Sequence, residues 1–106
     1  MGKISLRAFR DMCSRKNVSS FILASVNQPR LLGHLQYSLH FSGYSVVPES
    51  NMILLNNKEN GYVVFNNISE IRIIEEIPGF GTVFTIVCKD DTNLSYKESC
   101  YKLVMR

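Results

Sequence analysis

From Ile4 to Asn17 apolar side chains return every three or four positions, and from Val18 onward the period falls to two. Leu6, Phe9, Met12 and Cys13 make one stripe at helical spacing. Ser5 stands where an N-cap accepts a bond from the first turn. Ile4 and Phe9 have the spacing of a hydrophobic staple around it, and Asn17 is a fair helix stop. The pattern predicts a basic amphipathic helix over 1–17, with Lys3, Arg7, Arg10 and Arg15 on the face away from the stripe and Asp11 among them.

Residues 18–106 read as antiparallel β-sheet. Short apolar runs, "FILASV", "HLQYSLHF", "YSVV", "MILL", "YVVF", "IRIIEEI", "TVFTIVC" and "CYKLVM", are separated by Asn, Gly, Pro and Ser at intervals of 8 to 12 residues. In "HLQYSLHF" the apolar residues Leu35, Tyr37, Leu39 and Phe41 alternate with polar ones, as a strand with one wet face does. "MILL", "YVVF" and "TVFTIVC" instead carry apolar residues at both parities, which marks strands covered on both faces. One short helix cannot cover both faces of such a sheet. The expected fold is therefore α+β: an N-terminal helix followed by a strongly curled antiparallel sheet or small barrel of six to seven strands, with a partner as a further candidate for the second face.

At 106 residues the chain is expected to be a single domain, 1–106, large enough to fold without staples. The net charge of +3 comes from one end. Residues 1–30 hold six basic residues and one acid, giving +5; the remaining 76 hold six basic and eight acidic residues, giving −2. Such polarity makes Lys3, Arg7, Arg10 and Arg15 a candidate surface for an anionic partner. No apolar run reaches the ~20 residues of a membrane span, and "MGKISLRAFRDMC" lacks the apolar core of a signal peptide. Three cysteines, Cys13, Cys88 and Cys100, show no metal-ligand spacing and suit reduced thiols. A cytoplasmic protein without membrane contact is expected.

The candidates for chemistry thin out one by one. His34 and His40, six apart on a strand, would lie about 20 Å from each other and cannot share a metal ion. The turn "PGFG" has a G-x-G but is followed by a strand, so its glycines suit the left-handed positions of a hairpin rather than a phosphate loop. Phe80, at its tip, is either an interface anchor or a side chain folded back over the end of the barrel. Glu75-Glu76 and Asp90-Asp91 are adjacent on strands and point to opposite faces, a poor arrangement for an acid–base dyad. No cofactor, metal or catalytic residue is assigned.

The sequence therefore favours a small non-enzymatic protein that acts by protein–protein contact or self-association, as a regulator, adaptor or inhibitor of the kind mobile elements encode. A nucleic-acid binder using the basic helix is the alternative, and an enzyme whose site assembles only in three dimensions is the third reading.

Overall fold

The computed structural model describes residues 2–28, 33–90 and 97–106, with the side chains of all of these except 25–28, 33–37, 90 and 97. The chain opens with a two-residue strand β1 (Lys3–Ile4) and then helix α1 (Leu6–Arg15). Ser5 Oγ accepts from Ala8 N–H at 3.0 Å, the expected N-cap. The C-terminal end is a Schellman closure: Val18 N–H donates to Cys13 C=O at 3.1 Å and Asn17 N–H to Ser14 C=O at 3.3 Å, with Asn17 in the left-handed region. Lys3 and Ile4 do not extend the helix; they pair antiparallel with Arg72 and Ile71.

Eight further strands follow: β2 (Phe21–Gln28), β3 (Gly33–Phe41), β4 (Gly43–Val47), β5 (Met52–Asn57), β6 (Gly61–Phe65), β7 (Ile68–Ile77), β8 (Gly81–Asp90) and β9 (Lys97–Met105). They form a six-stranded sheet, β1-β7-β8-β9-β2-β3, and a three-stranded one, β4-β5-β6, with every paired neighbour antiparallel. The expected helix-then-antiparallel-sheet outline is present. The barrel is not: among the described residues nine strands lie in two open sheets, and edge strands β1 and β3 do not pair with each other.

At Ser42–Gly43 the chain leaves the large sheet and enters the small one. A Cβ on Gly43 would meet the end of the Asn56 side chain, its register partner on β5. The redirected strands then cover the inner face of the large sheet themselves, beside α1. One core joins all three parts: Phe9, Met12 and Cys13 from the helix; Phe21, Phe41, Phe84, Ile86 and Leu103 from the large sheet; Ile53, Leu55 and Phe65 from the small one. The Phe9 ring lies 5.9 Å from Phe21 and 5.0 Å, edge-on, from Phe84. Phe65 meets Tyr101 edge-on at 4.8 Å, and Phe21 meets Tyr44 at 5.2 Å.

Polar clips fix the layers. Tyr44 Oη donates to the Val18 carbonyl at 3.2 Å, tying β4 to the end of α1. The Asn60 amide donates to the His40 carbonyl at 2.9 Å, joined by the amide of Asn57, so the β5–β6 turn grips the edge of β3. No helix among the described residues is long and apolar enough to cross a membrane.

Because Phe9 is fully buried between two sheet aromatics, Phe9→Ala should cost about 3–5 kcal/mol. Arg10→Ala, on the exposed face one residue away, should change stability by no more than about 0.5 kcal/mol. Urea unfolding of the two variants checks the contrast, and a small cost at Phe9 would remove the helix from the core.

Candidate functional site

The basic residues singled out from the sequence do not form one free surface. Lys3, on β1, lies 3.3 Å from Glu70, whose other partner is Arg72 at 2.9 Å. Hydrogen bonds from Arg72 and then Lys3 hold the Glu70 carboxyl below its ordinary pKa. Arg7 reaches Glu49 at 3.8 Å, both side chains well exposed, a pair of small energetic weight. Arg10 and Arg15 are exposed and have no ion-pair partner among the described residues. Lys16, at the helix end, lies 3.1 Å from Glu76 and 3.3 Å from Thr82 Oγ1.

His40 is exposed on β3 opposite Ile22, and the side chain of His34 lies outside the described residues, as do those of Leu35 and Tyr37. Among the described residues no group of three or more His, Cys, Asp or Glu is placed to hold a metal ion. Glu75 and Glu76 border two different grooves; Asp90 and Asp91 fall outside the described side chains.

The turn carrying Phe80 builds the most distinctive surface. Gly79 adopts φ +75°, the left-handed conformation expected of a hairpin glycine, and Phe80 N–H closes the turn onto Ile77 C=O at 3.0 Å. At Gly81 a Cβ would strike the Met105 carbonyl, so glycine lets the start of β8 lie against β9. Phe80 folds back toward Arg106: the Arg106 guanidinium sits 5.0 Å from the ring centroid, and its Nε donates to the Phe80 carbonyl at 3.0 Å. The ring nevertheless remains 41% exposed.

Phe80 and Arg106 form a ridge between two grooves. On one side, at the end of the sheet, a cleft of about 680 Å³ is bordered by Lys16, Glu76, Thr82 and Ser19. On the other, an open groove of about 460 Å³ crosses the outer face of the large sheet. Its floor is Ile22, Val83 and Val104, a second apolar cluster on the side of the sheet away from the main core. Ile77 and Phe80 make its wall, and His40, Lys102 and Arg106 its rim, with Glu75 the one carboxylate among the described residues. Sequence reasoning passed over Lys102, Arg106, Ile22 and Val104. The signal was present in the both-parity pattern of "TVFTIVC": Phe84 and Ile86 face the main core, and Val83 faces out.

The three cysteines are free. Cys88 is level with Ser99, and Cys100 with Val87, so the two thiols are not cross-strand partners. Burial pushes the Cys13 and Cys88 thiols up to about 11, and the same cause raises Cys100. A thiol whose pKa is raised by folding lends stability below its unfolded value, near 9, and loses it as pH climbs toward 11. For Cys88 that is on the order of 2–3 kcal/mol. The stability difference between the native chain and Cys88→Ala should therefore shrink by this amount between pH 9 and 11 in urea titrations, and a constant difference would contradict the burial of that thiol.

Comparison of the chain with protein-family models, with curated proteins and with solved structures gave no match in any of the three.

Proposed function

We propose that this chain is a small non-enzymatic binding protein whose working surface is the groove beside Phe80, and whose partner is a segment of another protein. The observation that carries the reading is the outer-face floor of Ile22, Val83 and Val104, walled by the half-exposed Ile77 and Phe80. Recognition grooves pair an apolar floor with a few oriented polar groups. Here the fixed charges on the rim, among the described residues, are Lys102 and Arg106 against Glu75. The complementary segment presents an apolar or aromatic side chain to the floor and carboxylates to the rim. Three unbridged thiols are in keeping with a cytoplasmic setting.

The test is a phage-displayed random peptide library panned on the full chain. The expected consensus is one aromatic or large aliphatic residue flanked by Asp or Glu. Phe80→Ala and Lys102→Glu should each weaken the selected peptides at least tenfold. No enriched motif, or one indifferent to both variants, would overturn the reading.

The nucleic-acid reading rests on Arg10 and Arg15, the two helix cations without an ion-pair partner among the described residues. With two phosphates neutralised, log affinity for mixed DNA or RNA should fall with log salt at a slope of about −1.4 to −1.8. A slope near about −4, reduced by Arg7→Gln and Arg10→Gln, would move the function to the helix.

A further inference from the structure

Edge strands of stable proteins are kept short, covered or charged, because an open row of backbone N–H and C=O groups invites another strand. Three of the four edges here follow that rule. β1 has two residues; β3 is gripped at the His40 carbonyl by Asn57 and Asn60; β4 abuts α1 and is tied to Val18 through Tyr44. β6 does not. Among the described residues it pairs with β5 alone, and from Asn60 to Ile68 the chain carries neither a charge nor a proline. Its outward side chains, Tyr62 at 73% and Val64 at 39% exposure, are among the most exposed large apolar groups described.

We propose that β6 pairs antiparallel with β6 of a second copy of this chain, joining two three-stranded sheets into one of six strands across a two-fold axis at Val63. The segment is self-complementary about that residue. Tyr62 of each copy falls opposite Val64 of the other, an aromatic against a β-branched residue, the kind of cross-strand pair that stabilises a sheet. Asn60 falls opposite Asn66. The lack of charge fits a second copy, because a charge at position 62 or 64 would fall opposite an apolar side chain and diagonal to its own image. The outer face continues the contact through Leu54, which is level with Val64 on β5. A two-fold pairing also closes on itself and ends assembly at the dimer. A strand-edge contact of this length lies at the low end of stable interfaces, about 1,200 Å² or less, so the dimer depends on concentration.

The surface is separate from the groove beside Phe80, and its failure would leave that reading untouched. Sedimentation velocity of the full chain over a range of concentrations is the test. A reversible monomer–dimer equilibrium is expected, weakened at least tenfold by Tyr62→Lys with the circular dichroism spectrum and Tm retained. The register gives a sharper readout. Tyr62→Glu and Val64→Lys chains, each impaired alone, should dimerise at least tenfold more tightly when mixed, since the introduced carboxylate of one chain then faces the introduced ammonium group of the other. A monomer at every concentration, a dimer indifferent to Tyr62→Lys, or a mixture no tighter than its components would each overturn the proposal. Groove-binding peptides should bind these variants as they bind the native chain.

Discussion

The fold rests on a single act of coverage: one apolar face of a six-stranded sheet is buried by two unlike elements laid side by side. Phe9 marks the helical half, wedged against Phe21 and Phe84. Phe65, against Tyr101, marks the half supplied by the small sheet. Neither cover suffices alone, since a ten-residue helix spans only about 15 Å. Both belong to one continuous core, and the positions of the grooves and edges follow from how that cover is divided.

Covering the sheet this way removes the need to close it. A closed barrel has no edges and no outer apolar face to manage; two open sheets have both. The chain meets the liability in different ways at different places. At the β7–β8 turn, Phe80 folds back under Arg106 and leaves a shallow groove over Ile22, Val83 and Val104. At β3, asparagine amides occupy an edge carbonyl. At β6 the edge pairs with nothing further among the described residues, and Tyr62 stands out from it. An isolated monomer has little reason to keep an uncharged edge and an exposed tyrosine together, and that coincidence supports assigning contact roles to these surfaces.

Much of this was legible from local chemistry. Ser5, Asn17 and the apolar stripe fixed the helix because capping and periodicity act within one turn. Gly79 was readable as a left-handed turn residue for the same reason. The misreadings are non-local. Lys3 and Ile4 continue the helical charge pattern, yet pairing with the remote Arg72 and Ile71 draws them into a strand. The both-parity strands suggested closure because the sequence does not say whether a second apolar face meets the same sheet, another sheet or a partner; here the chain changes sheets after Phe41 and supplies a second sheet to the core. The ion pairs on the basic face were not legible for a related reason, since Glu70 and Glu49 come from remote segments to meet Lys3 and Arg7. The groove was missed because Phe80, Lys102 and Arg106 are brought together only by the register of β8 on β9.

Hydrogen exchange of the backbone amides tests the central claim, two open sheets sharing one buried face, most directly. Edge amides that point away from their only partner exchange by local opening, while those in interior strands need much larger unfolding. The account predicts slow exchange throughout β8, β9 and the first half of β2, with alternate fast amides along β6 in dilute solution. Uniformly slow exchange across β1, β3 and β6 would mean that these edges are paired within the monomer, and would contradict the open arrangement.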